Sequence, residues 1–452
     1  MKKIIVFSFL SLIFLSSCSN DAPKNLGQKK IITENIVCEK TLDDLFSTEE
    51  VVLVEGPLEC GGGNMLCGIF KVRLESPNTP DYPLSNVGLD EKAYPIEAVL
   101  VVRSLSEESL CNNRWIVFDS GGYGNGYAST FGNVLPGVIK EGGDGYGDDL
   151  ILEYVKHGYT TLDLLYQYPN FPKELPDPYK LSEWIPTYNK GTAWFRNLNS
   201  ASFLGSASRS RAVYEWAYQN SGDKKICAHA HSAGSGRLVG ALTHLGSEDL
   251  FDTIVFDGGP VFAYMPWICA IDNGPLGPRP EEYFDLSVKK AMGVTPLSIS
   301  CAHTEGNNEN NCDYNYCFDS KMDDGMLEDS FFVSATDRDF SEIDISIVIG
   351  GNDSSNAFKN IMLWLGGYTM TDGTILPPLT AKSITLKQGY CKNTSGSYLG
   401  GFPCNNWDPD KFPTISNKDI YEKALFSSEH GTTMDKGGME TVRDLILETC
   451  EL

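Results

Sequence analysis

Strand-like and helix-like segments alternate along the chain, and this alternation constrains the fold more than any other feature. Strands are predicted where short apolar runs are rich in β-branched residues, at 51–54, 69–74, 96–102, 115–118, 159–165, 225–230, 253–256 and 345–349. Helices are predicted at 207–219, 233–245 and 438–447. Strands that alternate with helices form a mostly parallel central sheet flanked by helices. The sequence therefore predicts an α/β fold whose functional residues lie at the carboxyl ends of the strands.

Two long segments, 260–341 and 369–419, interrupt the alternation. Both are rich in loop-forming residues, and together they contain six cysteines: Cys269, Cys301, Cys312, Cys317, Cys391 and Cys404. Loops of this length are uncommon in compact domains unless they have a function or a constraint of their own. We predict that both segments are disulfide-rich insertions that form a lid and the walls of a substrate site.

The clearest chemical signal lies in segment 226–236. A hydrophobic strand is followed by Ala230-His231-Ser232-Ala233-Gly234, and a helix of small residues comes next. Small residues are needed two positions before and after Ser232, because a tight turn brings their backbone close to neighbouring chain. The start of the helix directs its N–H groups and the positive end of its dipole toward the serine. Ser232 is therefore the predicted nucleophile, and the alternative is a serine that only caps the helix.

A nucleophilic serine needs a base to accept its proton, and the chain has six histidines. Four are disfavoured because they adjoin the serine, lie far along the next helix or precede a strand at the opposite edge: His229, His231, His244 and His157. His303, in the first insertion, and His430, before the last predicted helix, remain as candidates.

The base in turn needs a carboxylate that orients it and stabilises its protonated form. Asp353 follows the apolar run 345–349 in a Gly-Gly-Asn-Asp sequence. Asp257 follows the preceding strand, 253–256, and is the alternative acid. If Asp257 is not the acid, we expect it to order a loop or the substrate.

Segment 226–236 resembles the nucleophile elbow of α/β-hydrolases, in which a serine occupies a strained turn between a strand and a helix. The order of strands and helices resembles that of the family over roughly residues 95–450, and the resemblance is specific at four short motifs. Ala230 stands where the family pattern has its first glycine. The family order of serine, acid and histidine selects Asp353 as the acid and His430 as the base.

The resemblance also implies how the oxyanion is stabilised. In the family, one N–H donor comes from the residue after the serine, which is Ala233 here, and another comes from a loop after an earlier strand. Gly121 and Gly122 occupy that loop, and the resemblance implies that the backbone N–H of one of them is the second donor. Ser120 stands where many esterases have histidine, so the match is to the two glycines alone.

The first residues predict export and a lipid anchor. Lys2 and Lys3 precede an apolar run, 4–14, that is short for a membrane span. Leu15-Ser16-Ser17-Cys18 resembles the bacterial lipobox, in which the cysteine is acylated, and the alternative is an ordinary secretory signal. We therefore predict a signal peptide at 1–18, a flexible tether at 19–35 and a hydrolase domain at 36–452. Ser19, rather than aspartate, favours the outer membrane by resemblance to Gram-negative lipoproteins.

Composition limits the compartment and the partners. Thirteen cysteines, of which twelve remain after Cys18, allow up to six disulfides and favour an oxidising periplasm or cell surface. Cys391 with Cys404 and Cys60 with Cys67 are close enough in sequence to pair locally. The formal charge of −24 argues against nucleic acid and anionic lipid surfaces as partners.

The sequence thus predicts a lipid-anchored serine hydrolase that cleaves small-molecule or polymeric acyl esters through an acyl-enzyme. The proposed chemistry needs no metal and no cofactor. Two alternatives remain: a serine peptidase of the same fold, and a catalytically silent binding lipoprotein.

Overall fold

The computed structural model describes residues 40–59, 65–75, 96–111, 114–119, 126, 146–165, 203–260, 337–350, 361, 364–365, 378–389, 421–424, 433 and 436–450. All of them belong to one compact unit, Cys38–Leu452. The predicted signal peptide, Cys18 and the tether lie outside the described residues. In the part of the chain that is described, no helix combines the length and the apolar character needed to cross a membrane.

Ten strands form one sheet in the order β1-β2-β3-β5-β4-β6-β7-β8-β9-β10. Their bounds are Val51–Glu59, Leu66–Leu74, Ile96–Ser104, Trp115–Asp119, Thr160–Leu165, Ile226–His231, Phe251–Asp257, Asp339–Ile349, Thr380–Gly389 and Tyr421–Ala424 for β1 to β10. The pairings β1–β2, β2–β3 and β3–β5 are antiparallel, and the remaining ones are parallel. The mostly parallel α/β sheet predicted from the sequence is confirmed.

Helices cover both faces of the sheet. The described helices α1 to α5 are Glu107–Leu110, Gly147–Lys156, Phe203–Asn220, Ala233–Leu245 and Lys436–Thr449. Helices α3 and α4 share one buried cluster with the sheet, in which Trp216 makes edge contacts with Phe70 and Trp115. Helices α2 and α5 share the second cluster, on the opposite face. The two clusters form the core on either side of the sheet and hold its strands in place.

The prediction that 369–419 is an insertion outside the sheet is wrong in part, because residues 380–389 form strand β9 of the central sheet. Strand β9 has little apolar burial: Leu386 is buried and Ile384 is half-buried. Its register is supported by polar contacts instead, since Lys382 and Ser383 donate to the carboxylate of Asp344 on β8 at 2.7 and 2.6 Å. Strands are predicted from apolar runs, so this one escaped prediction. The first predicted insertion, 260–341, extends too far, because strand β8 begins at Asp339. Residues 261–336, 369–377 and 390–419 lie outside the described residues.

A disulfide joins Cys227 on β6 to Cys450, directly after α5. Both sulfurs belong to fully buried residues in the core cluster beneath α2 and α5. Cys67 and Cys111 are also disulfide-bonded. The predicted pair Cys391–Cys404 and the predicted partner of Cys67, Cys60, lie outside the described residues, so both pairings stay predictions.

Candidate active site

Ser232 occupies a strained turn between β6 and α4. Its backbone angles are φ 49° and ψ −119°, a conformation that non-glycine residues rarely adopt. Strain of this kind costs about 1–3 kcal/mol and persists only where the surrounding structure imposes it, often at functional sites. The turn that the sequence predicted at Ser232 is therefore present, with the geometry expected of a nucleophile elbow.

Hydrogen bonds on both sides hold the turn. The Ser232 N–H donates to the carbonyl of Asp257, at the end of β7, over 3.2 Å. The Ser232 carbonyl accepts from the N–H of Gly236 at 3.2 Å and from the hydroxyl of Ser235. Ala233 is the first residue of α4, and the first N–H groups of a helix have no acceptor within it. The predicted oxyanion donor thus stands next to the serine, at a helix start.

The end of β7 packs tightly against the turn. A β-carbon added to Gly259 would lie 1.8 Å from Ser235 Oγ and 2.4 Å from Ser235 Cβ. Only glycine fits there unless Ser235, which supports the carbonyl of Ser232, moves. The sequence alone does not reveal the contact of Ser235 with Gly259, because it joins the start of helix α4 to the chain after β7, and the two are adjacent only in the folded protein.

Gly259→Ala is expected to lower the free energy of unfolding by about 1–3 kcal/mol, as overpacked core sites do. Because Ser235 must shift, the serine turn loses support, and we expect labelling of Ser232 by a fluorophosphonate to slow by about tenfold or more. Urea unfolding and a labelling time course measure the two effects. Gly246→Ala is the matched control: its φ of 65° means that alanine also destabilises the fold there, but Gly246 caps the far end of α4, and a β-carbon there comes no closer than 3.9 Å to Glu248. Gly259→Ala that labels as fast as Gly246→Ala would contradict this account.

Asp257, the alternative acid, is fully buried and lies beside two histidines of β6. His231 Nδ1 is 2.8 Å from the Asp257 carbonyl oxygen and 3.5 Å from its Oδ2. His229 Nε2 is 3.9 Å from the same carboxylate oxygen. In the described residues, the contacts of Asp257 therefore support the elbow and its strand.

Burial lowers the pKa of His229 to about 4, although the carboxylate of Asp257 opposes that shift. Burial also lowers the pKa of His244 to about 4. A base works best when its pKa lies near the working pH. Both histidines are therefore neutral but weakly basic near pH 7, and neither suits the role of base.

The remaining predicted site residues lie outside the described residues: Gly121, Gly122, His303, Asp353 and His430. The strands before four of them are described. In register, Asp119 of β4 pairs with Ala230, His231 pairs with Asp257, and Asp257 pairs with Val348 of β8. Strands β4, β6, β7, β8, β9 and β10 run parallel, so their carboxyl ends share one edge of the sheet. The chain thus leaves this edge shortly before Gly121, Asp353 and His430, and their roles stay predictions.

Comparison with known proteins gives structural neighbours only. No family profile and no curated protein sequence matches the chain. Similar solved structures include Candida antarctica lipase A in its closed state, with 12% identity, a TM-score of 0.40, and coverage of 91% of this chain and 94% of that one. A thermostable carboxyl esterase from Bacillus coagulans has 11% identity, a TM-score of 0.36, and coverage of 85% and 99%. Est1E from Butyrivibrio proteoclasticus, solved with ferulic acid, has 11% identity, a TM-score of 0.35, and coverage of 78% and 96%.

Lipases and esterases recur among these neighbours, but identities and scores at this level assign neither a family nor an activity. The fold and the site themselves define an α/β protein with a strained serine between a parallel strand and a buried helix.

Proposed function

We propose that this protein is a serine hydrolase of the α/β-hydrolase type that cleaves acyl esters, with Ser232 as its nucleophile. The backbone of Ser232 carries the proposal. A serine that only caps a helix has extended backbone angles, and its side chain accepts a hydrogen bond from the second or third helical N–H. Ser232 has φ 49° and makes no side-chain capping bond to α4. The strain is therefore not explained by capping, whereas a nucleophile elbow requires it.

The proposed reaction proceeds in two steps. Ser232 Oγ attacks the ester carbonyl carbon while His430 takes the hydroxyl proton, and His430 then gives that proton to the departing alcohol. Water, activated by the same histidine, hydrolyses the acyl-enzyme and regenerates the serine. Asp353 orients His430, and the N–H groups of Ala233 and of Gly121 or Gly122 stabilise the oxyanion.

A serine peptidase of the same fold is the second candidate, because it would use the same residues. The segments that would choose the leaving group, 261–336 and 390–420, lie outside the described residues. A silent binding lipoprotein has less support, since it would have no use for the strain at Ser232.

Labelling with a fluorophosphonate probe tests the proposal, because the probe needs an activated serine and no knowledge of the substrate. We expect the purified protein to label at Ser232, and Ser232→Ala to abolish labelling and p-nitrophenyl acetate hydrolysis without loss of fold. Ser383→Ala, on β9 away from the carboxyl edge, is the control and should label like wild type. Labelling that persists in Ser232→Ala would contradict the assignment of Ser232 as the nucleophile. A peptide library assayed beside the ester separates the peptidase alternative.

We also propose that the protein is exported and anchored by a lipid on Cys18 to the bacterial outer membrane, facing the periplasm or the cell surface. The disulfide between Cys227 and Cys450 supports an oxidising compartment. Mass spectrometry of the mature N-terminal peptide is expected to find acyl chains on Cys18. An unmodified peptide that begins elsewhere would rule the anchor out.

A further inference from the structure

We infer that Asp119 is a positioning residue, which holds the start of the glycine-rich loop against the helix that begins at the nucleophile. The inference rests on the proposed function, and it adds residues that the predicted triad and oxyanion donors do not include. The four residues involved, Asp119, Ser210, Tyr214 and Arg237, are called the Asp119 cluster.

Asp119 is the last residue of β4, and only 1% of its surface is exposed. Its Oδ2 accepts hydrogen bonds from Ser210 Oγ and the Tyr214 hydroxyl, both at 2.7 Å, and from Arg237 Nε at 3.3 Å. Its Oδ1 accepts from Arg237 Nη2. The carboxylate therefore ties the end of one strand to two helices, α3 through Ser210 and Tyr214 and α4 through Arg237.

Stability alone is a poor reason for this cluster. Removing two charges from water is costly, and apolar residues of similar volume often stabilise a buried site as well as an ion pair does. Apolar side chains, however, pack in several ways, whereas a carboxylate with directional donors accepts one arrangement. The benefit that an ion pair offers at this place is a defined position of β4 relative to α4.

That position matters because both predicted oxyanion donors depend on it. Gly121 follows Asp119 by two residues, so the chain can carry it no more than about 7 Å away. Arg237 lies on the same helix as Ala233, whose N–H is the other donor. Fixing Asp119 against Arg237 therefore constrains the two donors relative to each other. Oxyanion stabilisation is sensitive to such placement, since donors must lie within hydrogen-bond distance of the developing charge.

The charge of the cluster fits the same role. Asp119 lies in register with Ala230, two residues before Ser232. An uncompensated carboxylate so close would repel the oxyanion as it forms, and Arg237, itself fully buried, neutralises it. The arginine thus permits a carboxylate to serve as the anchor beside a site that develops negative charge.

Asp119→Asn and Tyr214→Phe test the inference. Asp119→Asn removes the charge from the anchor, and Tyr214→Phe deletes one donor at nearly constant volume. Asp344→Asn is the matched control, because Asp344 is also a buried β-strand aspartate with two side-chain partners, Lys382 and Ser383, but lies in register with Thr253, away from the carboxyl edge. Circular dichroism and thermal unfolding establish which variants are folded at the assay temperature.

We expect the kcat for p-nitrophenyl acetate and the fluorophosphonate labelling rate to fall by about tenfold or more in Asp119→Asn. In Tyr214→Phe they should fall by about threefold or more. KM and the shape of the pH profile should stay unchanged, because neither the substrate contacts nor the base is altered. Asp344→Asn should keep its kcat even where its unfolding temperature falls. A purely structural role would lower the unfolding temperature and leave kcat intact.

Folded variants whose kcat and labelling rate fall by less than these expected factors would overturn the inference. A loss confined to KM, or an equal loss of kcat in Asp344→Asn, would also overturn it. If Asp119→Asn does not fold, the expected fall in kcat and labelling rate of Tyr214→Phe decides the test by itself. Failure of the proposed function looks different, because the wild-type protein would then neither label nor hydrolyse the ester.

Discussion

His430→Ala is expected to reduce turnover nearly to the level of Ser232→Ala, a loss on the order of 10⁴-fold or more, because triad members act as a unit and their losses do not add. Asp353→Asn should cost less, since the serine and histidine remain but the histidine is held in a poorer tautomer. Turnover of ester should rise with pH through a single ionisation near the ordinary histidine value of about 6.5. Steady-state kinetics of p-nitrophenyl acetate hydrolysis between acid and neutral pH measure all three.

His303→Ala and Asp257→Asn are the matched variants for the alternative base and acid. His303→Ala should leave turnover unchanged. The sequence predicts that Asp257 orders a loop or the substrate if it is not the acid, and that stays a prediction. Among the described residues, its carbonyl receives the N–H of Ser232, and its side chain lies beside His231. We therefore expect Asp257→Asn to lower stability more than turnover. An inactive His303→Ala beside an active His430→Ala would reassign the base, and an inactive, folded Asp257→Asn beside an active Asp353→Asn would reassign the acid.

Removal of the disulfide in Cys227→Ala/Cys450→Ala is expected to lower the free energy of unfolding by roughly 5 kcal/mol in the loop-entropy treatment. The reason is the length of the loop, since the two cysteines are 223 residues apart in sequence. Ser232, Asp353 and His430 all lie within this loop, so the bond covalently encloses the whole predicted triad. Urea unfolding, followed by tryptophan fluorescence, measures the loss.

The control is Cys391→Ala/Cys404→Ala, which would open a predicted loop of twelve residues and cost roughly 3 kcal/mol. Because Cys227 and Cys450 are fully buried, dithiothreitol should cleave their bond only as the protein unfolds. A Cys227→Ala/Cys450→Ala protein within about 1 kcal/mol of wild type would mean that the bond adds little to stability, as strained or redundant bridges do.

The fold was predictable where local sequence and buried position agree. The helix predicted at 233–245 is Ala233–Leu245 in the structure, because small and apolar residues dominate the segment up to Gly246, which ends the helix in a left-handed conformation. Strand β4 is buried on both faces, and its first four residues therefore form a continuous apolar run. Strands β9 and β10 and helices α1 and α2 escaped prediction. Strand β9 did so because it is half polar and depends on its neighbours for register.

The residues of the candidate site also divide into those that local sequence predicts and those that only the fold reveals. Ser232 and Ala233 were predictable because a strand, a serine and a helix of small residues are consecutive in the chain, and their geometry is local. The contact of Gly259 with Ser235, the Asp119 cluster and the Cys227–Cys450 bond were not predictable, because each joins residues that are far apart in sequence and meet only in the folded protein.

The sequence by itself determined the alternation of strands and helices, and with it a parallel sheet and a serine at a strand end. Periodicity and small-residue spacing are properties of neighbouring residues, so they can be read without the fold. Only the tertiary structure decided which strands lie side by side, since β4 sits between β5 and β6 through a crossover. It also decided what holds Ser232 in its strained conformation, because the carbonyl of Asp257 accepts the N–H of Ser232 only when β6 and β7 lie side by side. Strain at one residue is maintained by contacts from elsewhere in the chain, and those contacts exist only in the assembled sheet.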